Sequence, residues 1–405
     1  MSVVPATPAV IAEGGRRRGL LLLVLGALSA IGPLSIDMYL PAFPSITEEL
    51  ATGPAQVQFT LTACLIGLAI GQVLAGPLSD SRGRRLPLLV GVGGYAIASL
   101  LCAFAPSVTA LVVLRLLQGV FGGAAMVIVR AVVRDLYEGP AIARIFATLM
   151  LVSGLAPILA PIAGARLLEV TTWQGIFVAL SLAGLVLLAA AIPGVAETLP
   201  PQNRVRGGLR KTAATFWGLV RDRSFLAPAL AAGLSFGGMF AYISGSPFVL
   251  QQVYDATPQQ FSMIFGLNAF GLTMVAQVGG RLSGRVAPAR LVLIGMLVNL
   301  AGGLLLITAA LVDLGLLGIV AGLFVMMCGT GLVMPGTGAM ALAGQPPQVA
   351  GSAAALLGVT QFALGAACAP LVGLIGAGSA VPMAVVMCGL GLAALLVFTL
   401  VNKIR

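Results

Sequence analysis

The amino-acid sequence predicts an all-α integral membrane protein of about twelve transmembrane helices in two six-helix pseudo-repeat bundles, and three observations carry that expectation. Hydrophobic residues fill 59% of the 405 positions and charged residues only 8%. Mean hydropathy is +1.08, whereas a soluble domain holds about 25% charged residues. Apolar runs recur from Gly19 to Asn402, each long enough to cross a hydrocarbon core of about 30 Å and far longer than the roughly ten alternating residues of a barrel strand. One long polar connection near the middle leaves six such runs on either side.

In order, the expected spans are 19–41, 56–79, 86–105, 108–131, 142–166, 174–195, 225–250, 258–281, 289–311, 314–338, 350–376 and 380–401. The second, third and tenth are rich in glycine, which membrane helices tolerate because small residues let backbones approach. The first follows three arginines but runs past twenty residues without a small-residue cleavage pattern, so it reads as a retained helix and not a secretory signal. Arg16, Arg17, Arg18, Arg82, Arg84, Arg85, Arg130, Arg134 and Arg144 fall on one side, with Arg204, Arg206, Arg210, Lys211, Arg221, Arg223, Arg281, Arg285, Arg290, Lys403 and Arg405. Connections on the other side hold Glu48, Glu49, Glu169, Asp255 and Asp313, with Arg166 as the basic exception. The positive-inside rule then puts both termini in the cytoplasm. The net charge of +10 reads as a topology signal and an attraction to anionic lipid, and gives no reason to invoke nucleic acid.

The expected organisation is a tail over 1–18, a first bundle over 19–195, a linker over 196–224, a second bundle over 225–401 and a tail over 402–405. Gln72-Val73 and Leu86 recur at the same offset as Gln277-Val278 and Leu291, and Ala160-Pro161-Ile162-Ala163-Gly164 echoes Ala369-Pro370-Leu371-Val372-Gly373. Such echoes fit the parallel repeats of a rocking transporter with a site between its halves.

Asp37 and Arg115 are the two charged residues well inside the apolar runs, and an intramembrane charge is a functional hypothesis by default. At 1.5 Å per residue, Asp37 lies about 26 Å from the start of its helix and Arg115 about 10 Å in from the opposite side, so both belong to the same half of the bilayer. Burial favours a neutral carboxylic acid and a neighbouring arginine favours a carboxylate, which makes Asp37 a candidate proton carrier. The sequence contains no histidine to share that role. A purely structural Asp37–Arg115 ion pair is the competing expectation. Cys64, Cys102, Cys328, Cys368 and Cys388 have no metal or disulfide spacing and read as small apolar packing residues. Neither a metal nor a cofactor is expected.

Several stretches resemble a known family. Gly76-Pro77-Leu78-Ser79-Asp80-Ser81-Arg82-Gly83-Arg84-Arg85 is similar to the loop signature of the major facilitator superfamily. Leu34-Ser35-Ile36-Asp37-Met38-Tyr39-Leu40-Pro41-Ala42-Phe43-Pro44 resembles the first helix of its Bcr/CflA drug-efflux branch, which includes bicyclomycin- and chloramphenicol-type exporters. Arg115-Leu116-Leu117-Gln118-Gly119, Arg134-Asp135-Leu136-Tyr137, Glu197-Thr198-Leu199-Pro200-Pro201 and Gly238-Met239-Phe240 with Pro247-Phe248-Val249 extend the likeness over essentially the whole chain. Ser81 departs from the general superfamily pattern but fits the drug-efflux branch.

The resemblance implies a gating loop formed by Gly76, Asp80, Gly83, Arg84 and Arg85 with Arg134 and Asp135. Read physically, Gly83 permits a tight turn, and Asp80 and Arg84 offer opposite charges to latch on the Arg134-Asp135 pair or on the start of the eleventh span near Gly351-Ser352. Helices one and four flank the central cavity of the resembled fold, so Asp37 and Arg115 are expected at one pocket. Met38, Tyr39, Gln118, Met239, Phe240 and Tyr242 are its candidate lining, soft and aromatic surfaces suited to varied amphipathic drugs. Asn268 is a further polar candidate, for interhelical hydrogen bonding. In span five, Gly154, Pro157, Pro161 and Gly164 read as a hinge, since two prolines four apart remove two backbone donors from one face. This set looks like the antiporter motif of the superfamily. Gly119 and Gly123 in span four read as a close-packing pair.

The expected function is therefore a proton-coupled multidrug efflux antiporter in the bacterial cytoplasmic membrane, a monomer whose partners are small-molecule drugs, protons and lipids. A proton-coupled importer of a small metabolite or amino acid is the alternative, separable by direction of flux. An enzyme is disfavoured by the lack of a nucleophile, metal site or carboxylate pair facing the membrane interior.

Overall fold

In a computed structural model the described residues are 15–137, 140–204, 209–346, 349–376 and 378–402. Arg206, Lys403 and Arg405, counted above in the charge asymmetry, lie outside them. Twelve helices are long and apolar enough to cross a membrane: α1 (Leu21–Glu49), α2 (Pro54–Arg82), α3 (Arg85–Ala103), α4 (Val108–Leu136), α5 (Thr148–Leu167), α6 (Trp173–Gly194), α7 (Ser224–Val253), α8 (Pro258–Leu282), α9 (Pro288–Leu311), α10 (Gly315–Ala343), α11 (Gly351–Ile375) and α12 (Val381–Leu400). The described residues contain no strand, as lipid requires of a chain that does not close a barrel.

The first span differs from expectation. It does not end near residue 41 but continues to Glu49, so Glu48 and Glu49 sit in its last turn and not in a connection. Pro41 and Pro44 open new helical turns there, at Leu40–Ala42 and Phe43–Glu49. Proline is accepted at the first positions of a helix, where its missing N–H has no intrahelical partner to lose. The linker also holds more structure than its polar composition implied. A short helix spans Leu209–Arg221, with Phe216 and Leu219 packed against Phe225, Leu356 and Leu357 of α7 and α11. Its Trp217 is exposed, with the Arg221 guanidinium 4.8 Å from the ring centroid.

Helices α1–α6 pack on one another and α7–α12 do likewise; the two halves meet along α2 against α11 and α5 against α8. Within the first half, Gly67 and Gly71 of α2 interleave with Gly119 and Gly123 of α4. A Cβ at any of the four would strike a carbonyl of the facing helix, from Leu116, Val120, Cys64 or Leu68. The close-packing expectation for Gly119 and Gly123 thus has a specific partner in α2.

A set of hydrogen bonds joins the halves toward the end that carries the acidic connections. Gln58 Nε2 donates to Ser244 O at 3.0 Å, and its Oε1 accepts from Gly373 N at 2.9 Å. Thr62 Oγ1 donates to Ala366 O at 3.0 Å, Ser262 Oγ to Pro161 O at 2.9 Å, and Gln259 Nε2 to Glu169 Oε1 at 3.1 Å. These bonds fasten the acidic end of the seam.

Candidate functional site

Two prolines shape α1 around Asp37. Pro33 and Pro41 lack the N–H groups that would bond the carbonyls of Ser29 and Asp37 four residues back. The helix turns at Ala30, resumes over Ile31–Asp37 and stops again with Asp37 as its last regular residue. Ser35 and Tyr39 share one face of this piece, and Asp37 projects about 200° away at 100° per residue.

That angular separation decides where Arg115 goes. Fully buried, it points to the Ser35 and Tyr39 side. Its Nη2 donates to Ser35 O at 2.8 Å, its Nη1 donates to Gln118 Oε1, and its Cζ lies 4.2 Å from the Tyr39 ring centroid and 5.6 Å from that of Phe177. Gln118 Nε2 passes the chain on to Ser99 Oγ at 2.7 Å; Ser99 Oγ donates to Tyr95 O at 2.7 Å, and Tyr95 Oη meets Ser35 Oγ at 2.8 Å. Tyr39 Oη pairs with Thr60 Oγ1 at 3.2 Å. Arg115 thus caps, from another helix, a carbonyl freed where α1 breaks, the location where a cation is favoured. Among the described residues it has no acidic partner, and its Nε has no hydrogen bond.

The competing expectation of a structural Asp37–Arg115 ion pair is therefore corrected: they do not pair, because Arg115 is turned to the Ser35 and Tyr39 side of α1. Tyr39 and Gln118 go with Arg115 into the interior of the first half. Asp37, 3% exposed, has no hydrogen-bond or ion-pair partner among the described residues, and the turn that follows it, Leu40–Ala42, packs against α7 and α8 of the other half. Tyr242 stacks on Phe265 with centroids 5.4 Å apart and accepts from Asn268 Nδ2 at 2.9 Å. Phe240 is buried against Phe236, 4.7 Å between centroids, while Met38 and Met239 are half-buried.

Met38 also fixes α1 against α5. Its carbonyl oxygen occupies the position that a Cβ on Gly164 would take, whereas a Cβ on Gly154 would meet Thr273 Cγ2 at an ordinary 3.7 Å. Pro157 and Pro161 lie within one continuous helix, Pro140–Leu167, and the Pro161 carbonyl receives the Ser262 bond across the halves. Gly164→Ala is expected to displace α1 just beyond Asp37 and lower transport at least about tenfold, the effect of 1.4 kcal/mol, while Gly154→Ala stays near wild type. Uptake by reconstituted variants checks the contrast; equal effects would remove Gly164 from its special position.

At the arginine-rich end, Arg84 donates from Nη1 to Asp80 Oδ1 at 2.5 Å and to Ser79 Oγ at 2.8 Å, and from Nε to Asp135 Oδ2 at 2.8 Å. Asp135 also accepts from Thr198 Oγ1 at 3.0 Å, and Arg85 Nη2 donates to Ile192 O at 2.9 Å. These ion pairs lie within the first half: Arg134 is exposed, Asp80, its side chain 52% accessible, pairs with Arg84, and a Cβ on Gly351 at the start of α11 would meet nothing within 4 Å. Gly83 has a φ of +95° and Gly76 faces open space.

Residues 25–370 match the family profile described as Major Facilitator Superfamily. The chain belongs to that superfamily. It is a major facilitator transporter, a multi-pass membrane protein and not an enzyme. It is 39% identical to the uncharacterized MFS-type transporter YdgK of Bacillus subtilis over 92% of this chain and 93% of that one. It is 34% identical to a bicyclomycin resistance protein homolog of Haemophilus influenzae, over 89% and 91%. The multidrug resistance protein MdtL of Escherichia coli is 26% identical over 72% and 74%. These relatives agree with the Bcr/CflA resemblance of the motifs. Among solved structures, a bacterial homolog of the lysosomal transporter Spinster, inward-facing and unoccupied, superposes with a TM-score of 0.76 at 14% identity, over 96% of this chain and 98% of that one. A D-xylose–proton symporter gives 0.73 at 16%, over 94% and 97%. At these identities the likeness is one of fold.

Two residues of this facilitator escaped the sequence reading. Gln58 carries the double bond between the halves; a polar residue early in a span was its one signal. Glu197 lay within a motif that gave it no role. Its Oε1 accepts from Arg84 N at 2.8 Å and Leu199 N at 3.0 Å, and its Oε2 from Arg85 N at 3.3 Å. It crowns the start of α3, where amides favour an anion, and it sits where a Cβ on Gly83 would stand. Burial pushes the Glu197 carboxyl up, but the amides of Leu199, Arg84 and Arg85 and the nearby Arg204 outweigh it and hold the group below the ordinary carboxylate range. A depressed folded value means that the clamp is at full strength above about pH 4.3 and is lost as pH falls through the folded value. Hydrogen exchange at the Arg84 and Arg85 amides should stay slow from neutral pH down to about pH 5 after correction for intrinsic rates. In Glu197→Gln it should be faster even at neutral pH; unchanged protection would contradict the clamp.

Proposed function

We propose that this transporter is a proton-coupled drug exporter of the bacterial cytoplasmic membrane, exchanging small amphipathic drugs for protons by alternating access. Both termini face the cytoplasm, so the fastened end is the outer one. Halves 19–195 and 225–401 rock about the seam, joined by linker 196–224, and one chain suffices.

The observation that carries this reading is Asp37: a buried acid at a helix break, turned away from Arg115, with no group bonded to its carboxyl among the described residues. In the inward-open state the ionised carboxylate admits cargo from the cytoplasm. Closure at the inner end parts the outer bonds of Gln58, Thr62 and Ser262. A proton from outside then neutralises Asp37, cargo leaves, and the protonated transporter returns and releases the proton inside. Arg115 acts on this cycle as a positioning residue, by holding the α1 break. Asp80, half-exposed on Arg84, is the group available to meet the start of α11 when the inner end closes. The names of the bicyclomycin-resistance and multidrug-resistance relatives support export of drugs.

Everted and right-side-out vesicles test the direction. Expected is drug accumulation in everted vesicles driven by an interior-acid gradient and abolished in Asp37→Asn. Accumulation in right-side-out vesicles, driven by a proton gradient directed inward, would instead make the protein an importer.

A further inference from the structure

The connection between α8 and α9 copies the gating loop of the first half but lacks its acid. Gly280-Arg281-Leu282-Ser283-Gly284 repeats Gly76-Pro77-Leu78-Ser79-Asp80. The local bonding repeats too: Ser283 Oγ donates to Gly280 O at 2.7 Å, and Ser79 Oγ to Gly76 O at 2.9 Å. Glycine stands at 284 where the first loop has Asp80, a partner of Arg84. Arg281, Arg285 and Arg290 are all exposed, and among the described residues none of their side chains has a hydrogen bond or an ion pair. Asp255 and Asp313, at the other end, are the last two acids of the sequence. Asp222, the acid that caps α7, is bonded to Ser224 and to Gln345 of the α10–α11 connection.

Apolar surface runs up to these arginines. On α8 the exposed Phe270, Met274 and Val278 form a stripe that ends in Arg281, and on α9 the exposed Leu304, Leu297 and Leu293 form another that ends in Arg290. Spacings of three, four and seven residues keep each set on one helix face. A Cβ on Gly279 or on Gly295 would strike Leu332 of α10, so both helices close on the same residue near the connection. The two helices have 25 and 24 residues, about 36 Å at 1.5 Å per residue against a hydrocarbon core of about 30 Å. The connection therefore lies among lipid head groups.

We propose that Arg281, Arg285 and Arg290 form a binding site for the phosphate of an anionic phospholipid, whose acyl chains lie along the stripes of α8 and α9. A guanidinium holds phosphate through two parallel bonds, and three cations with no carboxylate among them leave a charge that an anionic lipid neutralises. A zwitterionic lipid brings its own cation, which the cluster repels. Free phosphate would engage the arginines but leave the stripes unused. The first-half loop differs because it spends Asp80 and Asp135 on Arg84. This site goes beyond the drug-exporter reading and holds whichever way cargo moves.

Lipid retention by the purified full-length protein in detergent, read by native mass spectrometry, tests this with phosphatidylglycerol and phosphatidylcholine of the same acyl chains. Wild type is expected to hold phosphatidylglycerol more tightly. Each arginine near an anionic head group is worth about fivefold, so combining Arg281→Gln, Arg285→Gln and Arg290→Gln should remove most of the preference and leave phosphatidylcholine binding unchanged. Gly284→Asp supplies the acid of the first loop and should weaken phosphatidylglycerol binding about fivefold with all three arginines in place. A Cβ at that position meets nothing within 4 Å, so the fold is kept. The control of equal charge, Arg16→Gln with Arg17→Gln and Arg18→Gln, should retain the preference. No preference in wild type, a preference unchanged by the triple variant and by Gly284→Asp, an equal loss in the control, or displacement of phosphatidylglycerol by millimolar inorganic phosphate would overturn the proposal.

Discussion

Arg115→Lys is expected to abolish most transport even though Arg115 does not touch Asp37. The guanidinium makes two directed bonds, to the Ser35 carbonyl and to Gln118 Oε1, with its Cζ 4.2 Å from the Tyr39 ring centroid. An ammonium offers neither the planar fork nor the stacking surface. Leaving the Ser35 carbonyl or the Gln118 amide unpaired costs about 1–3 kcal/mol for each group, and the helix break that presents Asp37 loses its cap. Transport should fall about tenfold or more, since 1.4 kcal/mol is a factor of ten. The protein is expected to fold, because lysine keeps the long apolar stem and the single positive charge at the site. Exchanging the two charges, Asp37→Arg with Arg115→Asp, should not restore activity, as it would for an ion pair. Transport assays on the single and exchanged variants decide it: near-normal Arg115→Lys, or rescue by exchange, would contradict the capping role.

Gln58→Leu should shift the resting conformation toward one open at the acidic end. Gln58 is fully buried and spends both amide atoms across the seam, on Ser244 O and Gly373 N. Leucine keeps much of the volume but strands both backbone groups, at about 1–3 kcal/mol each. Opening that end lets water satisfy them, so the stranded groups favour the open state by one to several factors of ten. Spin labels at Val170 and Val312, which are 83% and 65% exposed in connections of opposite halves, read the separation in a variant freed of its five cysteines. A longer-distance population appearing in Gln58→Leu is the expected result. An unchanged distribution would mean that the other seam contacts hold the end shut alone.

Span number and order followed from apolar run lengths, because lipid leaves the backbone almost no other choice. Boundaries failed where proline behaved as a starter of turns, at Pro41 and Pro44, and the linker helix was hidden by its charge. Asp37 and Arg115 were visible as isolated charges, yet depth alone put them together. Depth is set by residue number, whereas contact is set by the angle around the helix, and the break between Ser35 and Tyr39 makes that angle hard to follow. Gln58 and Glu197 were obscure for a different reason. Their partners are backbone groups of distant segments, Gly373 and Ser244 for one and Arg84, Arg85 and Leu199 for the other. Backbone atoms leave no mark in composition or spacing.

Proton release on drug addition, measured in weakly buffered detergent solution with purified protein, bears most directly on the role of Asp37. Wild type should release protons when chloramphenicol is added near the pH at which Asp37 titrates, and Asp37→Asn should release none. Equal release from both proteins would contradict exchange of drug for proton at that carboxyl.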